Sequence, residues 1–190
     1  SAMFMAPLLV RNNKAVIPNP GGCRIGARPI DRTIKGLEAM GISVFYNEND
    51  GYFYLEQNDQ KSSFKSAVEY TFEKNTHTGT EILMMARVIS KGKTVLKNAA
   101  EEPEIDELIS LLNQMGAKIK RSGNRIIVIE GVDGLHGTTF TIGPDRNEIV
   151  TFAAASILTK GDVLIEDANK VDISEFLKDM KNIGAGVEKK

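Results

Sequence analysis

One phrase occurs three times in this sequence of 190 residues, and the repeat constrains the fold more than any other feature. It reads MGISV at residues 40–44, MGAKI at 115–119 and IGAGV at 183–187. The copies therefore begin 75 and 68 residues apart. A period of this length exceeds that of a solenoid repeat, so it indicates one supersecondary unit used several times.

Helices are predicted ahead of the second and third copies. Apolar residues recur there at intervals of three and four positions, which is the spacing of one helix face. The two sets are Ile105, Leu108, Ile109, Leu112 and Met115, and Ile173, Phe176, Leu177 and Met180. Pro103 suits the first turn of one helix, and Asp172 with Glu175 resembles a capping box at the start of the other. The glycine inside each phrase predicts a left-handed residue after the helix.

Strands are predicted after these glycines. Residues 118–120 and 125–129 are rich in β-branched and charged residues around Ser-Gly-Asn, a pattern typical of a hairpin. A second hairpin is predicted around the polar turn 47–51, with residues 52–55 as its second strand.

Two more helices are predicted over residues 80–90 and 148–158, each followed by Lys-Gly and a strand. The whole pattern predicts an α/β (α+β) fold of repeated helix and strand units, with mixed sheets and helices packed on one face.

The composition excludes several classes of protein. The chain has 24 basic and 25 acidic residues, which does not favour nucleic acid as a partner. No apolar run approaches the roughly 18 residues of a membrane span, and no secretory signal pattern is present. A single cysteine without an export signal predicts a cytoplasmic protein. Two distant histidines predict no metal site, and no cofactor is expected.

The single cysteine, Cys23, lies in the loop PGGCRIGARPID at residues 20–31. Glycines let a backbone approach a ligand closely, and the guanidinium groups of Arg24 and Arg28 suit carboxylate or phosphate. Neighbouring cations lower the pKa of a thiol. The loop therefore predicts a reactive cysteine in an anion-binding pocket, although a free cysteine can also be a small buried apolar residue.

This loop and the repeated unit resemble the enolpyruvyl transferases, and within them the branch that acts on UDP-N-acetylglucosamine. The stretches NAAEEPEI at residues 98–105 and GPDR at 143–146 are also similar to that family. The resemblance covers nearly all of this chain but only the middle of a family member. It implies transfer of enolpyruvate from phosphoenolpyruvate to the 3′-hydroxyl of UDP-N-acetylglucosamine, an early step of peptidoglycan synthesis, with release of phosphate.

The resemblance also implies roles for particular residues. Cys23 would protonate the enol carbon and form an adduct with phosphoenolpyruvate, and it would be the cysteine that fosfomycin alkylates. Arg28 would bind phosphoenolpyruvate oxygens. The residues expected to contact the UDP moiety are Pro29, Ile30, Asp31, Arg32, Lys74 and Thr76. Asp31 could equally cap the helix that follows.

Some positions depart from the family pattern. Arg32 and Thr33 replace a leucine and a histidine, and His77 replaces an aliphatic residue. We interpret His77 as a loop residue and His136 as a turn residue. Glu102, Asp145 and Arg146 fit family positions at the junction of two lobes, where we expect a charge network that braces the hinge.

Two other functions stay open at this point. These departures would suit a diverged, non-catalytic relative that binds a sugar nucleotide or a partner protein. An RNA-terminal-phosphate cyclase-like protein shares the repeated unit, but the balanced charge and the cysteine loop argue against it.

The family has two lobes, so the resemblance places residues 1–143 in the cysteine-loop lobe and 144–190 at the start of the other. We expect the chain to be part of a longer protein, because catalytic groups that the family carries elsewhere are missing from it. The isolated chain should therefore turn over little substrate. Apolar residues after Pro144 would fill a gap in the same chain or swap into a dimer.

Overall fold

The computed structural model describes residues 2–21, 30–57 and 66–188. The chain divides into two compact units, Ser1–Thr139 and Phe140–Lys190. In chain order the helices and strands are α1 (Met5–Asn12), β1 (Lys14–Pro18), α2 (Asp31–Ala39), β2 (Ile42–Asn47), β3 (Tyr52–Gln57), β4 (Val68–Thr71), α3 (His77–Val88), β5 (Lys93–Lys97), α4 (Pro103–Gln114), β6 (Lys118–Arg121), β7 (Ile126–Glu130), α5 (Arg146–Leu158) and α6 (Ser174–Asn182). Single 3-10 turns cover Ala2–Phe4 and Ala168–Lys170.

The first unit contains two sheets. One is antiparallel in the order β1-β3-β2, with Ile17 opposite Phe53 and Phe53 opposite Tyr46. The other has the order β4-β5-β7-β6, in which β4 runs parallel to β5 and the remaining pairs are antiparallel. Both hairpins predicted from the sequence are confirmed as β2–β3 and β6–β7.

Helix α3 occupies the centre of the first unit. It contacts α1, α2, α4 and β7, and residues on nearly all of its faces are buried, among them Ile82, Leu83 and Met84. A helix that is apolar on most sides is stable only when neighbours cover all of those sides. The two sheets and the outer helices therefore share one core around α3.

Arg87 is a charged member of this core and is fully buried. Its Nε donates to Thr94 Oγ1 at 2.7 Å and its Nη2 donates to the carbonyl of Ser66 at 2.8 Å. Burial lowers the pKa of Arg87 to about 10, so the guanidinium stays charged at neutral pH. The side chain thereby ties α3 to β5 and to the residues that lead into β4.

The glycines of the repeated phrase have the predicted conformation. Gly41, Gly116 and Gly184 each follow a helix and have φ values of 86°, 101° and 87°. Left-handed backbone is cheap only for glycine, which explains why this residue is common to all three copies. The four predicted helices are confirmed as α3, α4, α5 and α6, and α3 begins three residues earlier than expected.

The second unit corrects one prediction. Residues 163–165 were expected to form a strand after Lys160-Gly161, as β5 does after Lys91-Gly92, but they are irregular. A strand persists only where its backbone groups pair with a neighbour, and the part of this unit that the structure describes contains no second strand. The sequence analysis also missed α1, β1 and β4, which are short and follow no strong periodicity.

No helix in the described ranges is both long enough and apolar enough to cross a membrane. The expectation that the chain has no membrane span agrees with this finding for the residues that could be searched.

Replacing Gly131 with alanine should destabilise the first unit by about 2 kcal/mol or more. A Cβ at this position would lie 1.7 Å from the carbonyl oxygen of Ser90, and this backbone atom cannot rotate away. Chemical denaturation of Gly131→Ala should show the loss. Gly134→Ala is the matched control, because a Cβ there meets nothing within 4 Å. Equal stability of the two variants would contradict the close approach of β7's exit to α3.

Candidate functional site

Three helices of the first unit begin side by side. The hydroxyl of Thr33, in the first turn of α2, lies 3.3 Å from the position that a Cβ on Gly79 of α3 would take. The backbone N–H of Ala100, just before α4, donates to Thr80 Oγ1 at 3.1 Å. His77 and Glu104, at the starts of α3 and α4, approach within 3.8 Å. We call this region the convergent helix end.

Glycines allow the close packing of α2 on α3. A Cβ on Gly36 would lie 2.3 Å from Leu83 Cδ1, and one on Gly79 would lie 2.4 Å from Thr76 Cγ2. Contacts from Thr33 to Gly79 and from Gly36 to Leu83 advance together along both helices, so the helices run in the same direction. Their N-termini, each with unpaired N–H groups and a partial positive charge, therefore lie at one end of the pair. Such an end attracts anions.

Three of the predicted nucleotide contacts lie where α2 begins. Ile30 is half-buried and packs on the core, which anchors the exit of the cysteine loop. Asp31 is exposed and is the first residue inside the helix, whereas Ile30 is the N-cap. The prediction that Asp31 caps this helix is therefore wrong in detail. The backbone carbonyl of Arg32 accepts a hydrogen bond from Tyr70 Oη at 3.4 Å.

The other two described contacts precede α3. Lys74 is exposed in the segment between β4 and α3. Thr76 is the N-cap of α3, and its Oγ1 accepts from the N–H of Gly79 at 3.3 Å. Because the oxygen acts as acceptor in that bond, the hydroxyl proton of Thr76 can still be donated to a ligand oxygen. Lys74 and Thr76 thus offer a charge and a donor at the convergent helix end.

Cys23, Arg28 and Pro29, also predicted as site residues, lie outside the described residues, as does Arg24. The loop that contains them leads directly into Ile30 and α2. Their assigned roles stay predictions.

His77 is not a loop residue, which corrects the sequence interpretation. It is the first residue of α3, with Nδ1 3.7 Å from Glu81 Oε2 and Nε2 3.8 Å from Glu104 Oε2. Burial raises the pKa of the Glu81 carboxyl, with further increases from Glu104 and Glu102, while His77 acts to lower it. A partner 27 residues away cannot be inferred from local spacing, so the sequence did not predict this arrangement.

The segment from Asn98 to Glu102 is held from several sides. Asn98 has a left-handed φ of 53°, and its side chain donates to the carbonyl of Phe72 at 2.9 Å. The hairpin β6–β7 contributes Arg121, which donates to the carbonyl of Ala100 at 3.1 Å, and Arg125, which pairs with Glu101 at 3.0 Å. These bonds fix the wall of the site next to α4. The stretch was noticed in the sequence, but its arginine partners were not.

The three residues of the predicted hinge network belong to the starts of two helices. Glu102 is the N-cap of α4, and Asp145 is the N-cap of α5, where its Oδ1 accepts from the N–H of Asn147 at 2.7 Å. Arg146 is the first residue of α5. The network between them stays a prediction. His136, the other histidine, has its ring over Gly116 in the segment that follows β7.

Within the described ranges, no group of three or more His, Cys, Asp or Glu side chains could hold a metal ion. The chemistry available at the convergent helix end is therefore that of backbone N–H groups, Lys74 and the Thr76 hydroxyl, together with the acidic residues around His77.

The chain is similar to known proteins over its whole length. The sequence model of the family described as EPSP synthase (3-phosphoshikimate 1-carboxyvinyltransferase) matches residues 1–190. A protein of Acidobacterium capsulatum described as UDP-N-acetylglucosamine 1-carboxyvinyltransferase is 42% identical over 188 residues, which cover 99% of this chain and 42% of that protein. A protein of Desulfatibacillum aliphaticivorans with the same description is 42% identical over 187 residues, 98% of this chain and 43% of its own length. The chain thus spans less than half the length of these relatives.

Solved structures confirm the predicted fold. The enolpyruvyl transferase NikO from Streptomyces tendae matches 81% of this chain and 36% of its own, with a TM-score of 0.64 at 19% identity. An EPSP synthase from Acinetobacter baumannii matches 82% of this chain and 33% of its own, with a TM-score of 0.61 at 17% identity.

Glu81→Gln should stabilise the protein more as the pH rises from 4 to 8. The folded state raises the pKa of Glu81, so it holds the proton more tightly than the unfolded state, and wild-type stability falls as pH rises above the unfolded value. A neutral glutamine avoids this loss. Thermal melting followed by circular dichroism measures the difference between variant and wild type. The exposed Glu48→Gln serves as control, and a difference for Glu81→Gln that did not grow with pH would contradict the burial of this carboxyl.

Proposed function

The chain belongs to the EPSP synthase family, and on that premise we propose that it is the cysteine-loop portion of a UDP-N-acetylglucosamine 1-carboxyvinyltransferase. The observation that carries the proposal is its 42% identity, over 99% of the chain, to proteins with that description. The convergent helix end supports it, because a sugar nucleotide presents a diphosphate and phosphoenolpyruvate presents a phosphate and a carboxylate. All of these groups are anions that suit helix N-termini and a lysine.

The proposed reaction joins the 3′-hydroxyl oxygen of UDP-N-acetylglucosamine to the second carbon of phosphoenolpyruvate. Cys23 donates its proton to the terminal enol carbon, and the hydroxyl oxygen bonds to the neighbouring carbon as the hydroxyl loses its proton. The resulting tetrahedral intermediate then loses phosphate and a proton, which restores the carbon–carbon double bond. A thiol can act as an acid near neutral pH once neighbouring cations stabilise its thiolate.

The described residues have binding roles in this proposal. Lys74 neutralises the nucleotide diphosphate, and the free hydroxyl proton of Thr76 is donated to one of its oxygens. Ile30, Asp31 and Arg32, with Pro29 before them, form the side of the site that contacts the UDP moiety. Arg28 holds phosphoenolpyruvate next to Cys23. Because Ile30 is anchored in the core, the cysteine loop has one fixed end beside the nucleotide.

The setting and the assembly are also proposals. We place the protein in the cytoplasm, since a free thiol needs a reducing compartment. The 190-residue chain alone should release little phosphate, because catalysis needs groups from both sides of a cleft held in register. A diverged relative that binds UDP-N-acetylglucosamine without turnover is the second candidate. The acidic Glu81 and Glu104 at an anion-binding end favour it.

Fosfomycin should alkylate the chain once, at Cys23, and faster when UDP-N-acetylglucosamine is present. Intact-protein mass spectrometry with peptide mapping measures the adduct, and Cys23→Ser should show none. Lys74→Ala should weaken UDP-N-acetylglucosamine binding in calorimetry about tenfold, since a charge-assisted contact is lost. Lys91→Ala, an exposed lysine beyond the other end of α3, is the matched control. Binding without alkylation favours the non-catalytic relative, and the absence of both contradicts the proposal.

We also propose that the second unit of one chain swaps onto a second copy. The large exposed apolar side chains in it are Ile142, Phe152, Leu158, Val163, Leu164 and Ile183. Its helix α5 corresponds to the buried α3 in the repeat, yet Ile149 is the residue of α5 that is buried. Exposed apolar surface on this scale is commonly covered by a partner.

Light scattering coupled to gel filtration should therefore give a mass of two chains, about twice 20.8 kDa. Phe152→Asp should shift the equilibrium to the monomer, and Thr151→Asp, an exposed neighbour on the same helix, should not. A wild-type monomer with a protease-sensitive second unit would rule out the swap.

A further inference from the structure

The imidazole of His77 lies between two carboxylates that come from different helices. Its Nδ1 faces Glu81 of α3 at 3.7 Å, and its Nε2 faces Glu104 of α4 at 3.8 Å. The His77 side chain is 37% exposed and that of Glu81 is 14% exposed. The Nε2 atom itself is buried and has no hydrogen-bond partner among the described residues. A polar atom in that position costs free energy unless a charge compensates it.

The protonation state that suits this geometry is the imidazolium. An ionised carboxylate only accepts hydrogen bonds, and a neutral imidazole has one N–H, so it can serve one of the two carboxylates. The cation has an N–H on both nitrogens and matches both. A neutral ring would direct a lone pair at a carboxylate, which is favourable only if that carboxyl is protonated.

Few other charges face His77. From α4, Glu102 adds to the negative potential around Glu81. From α2, the side chain nearest the first turn of α3 is the uncharged Thr33, while Lys35 pairs with Glu73 at 3.7 Å. Lys74 precedes the helix by three residues and is exposed. The balance around the ring is therefore acidic, and it favours the cation.

A cation at this position opposes the ordinary preference of a helix. The first turn carries a partial positive charge, so acidic residues are favoured there and basic residues are not. His77 is nevertheless the first residue of α3, where two carboxylates compensate its charge. A residue that breaks a local preference in a region of proposed function is a candidate for a functional role.

We propose that His77 is a positioning residue which, when protonated, holds the first turns of α3 and α4 together and shields Glu81 and Glu104 from a bound diphosphate. This inference rests on the proposed nucleotide site. When His77 loses its proton, the two carboxylates are no longer shielded, and α3 is no longer paired to α4 at the point where Thr76 and Lys74 meet the ligand. Binding of an anionic sugar nucleotide therefore weakens as the pH rises.

Calorimetric titration of the full chain with UDP-N-acetylglucosamine at pH 6, 7 and 8 tests the inference. Imidazole changes charge within this range, whereas the diphosphate diester keeps a constant charge. Wild-type affinity should fall about two- to fivefold from pH 6 to pH 8, the size expected for a partly exposed ion pair. His77→Gln should bind at the weaker value throughout, and His77→Arg should keep the tighter value at pH 8. His136→Gln, which alters the other histidine, should behave as wild type.

A second measurement separates this inference from the proposed function. Thermal melting of wild type, His77→Gln, Glu104→Gln and the double variant forms a cycle whose coupling should be present at pH 6 and lost at pH 8. An identical pH profile of binding in His77→Gln and wild type would overturn the role of His77 while leaving the nucleotide site in place. No UDP-N-acetylglucosamine binding at any pH, with the coupling intact, would overturn the nucleotide site and the positioning role with it. The absence of coupling at pH 6 would overturn the ion pair itself.

Discussion

The close packing of α2 against α3 is the constraint on which the rest of the first unit depends. It exists because Gly36 and Gly79 have no Cβ, so that Leu83 and Thr76 can occupy the space next to the backbone. This contact places the two N-termini side by side, and it joins the exit of the cysteine loop to the segment that carries Lys74 and Thr76. Two regions that are about 50 residues apart in the sequence thereby become one site.

The electrostatics of that site combine opposing contributions. Helix N-termini and Lys74 attract anions, while Glu81, Glu104 and Glu102 repel them. Burial keeps the pKa of Glu81 raised, and His77 works against that shift. A histidine placed among these acids makes the net attraction dependent on pH, which a site built from lysine alone would not show. Substrate binding and the state of the α3–α4 contact are consequently linked through one proton.

Several features of the fold could be predicted because their causes are local. The left-handed glycines, the two hairpins and the amphipathic helices depend on residues within a few positions of one another, and the structure confirms them. The strand expected at residues 163–165 was wrong because a strand needs a partner that local sequence does not supply. His77 was interpreted as a loop residue because its partner Glu104 is on another helix.

By itself the sequence determined the repeated unit, the positions of most helices and turns, and the residue types available for chemistry, since these depend on side-chain periodicity and backbone preference. The resemblance to enolpyruvyl transferases added a proposed substrate and candidate roles. Only the tertiary structure decided that α2, α3 and α4 begin at one end, that Thr76 caps a helix and that His77 lies between two carboxylates. Those arrangements arise from packing between segments far apart in the chain, where no spacing rule applies.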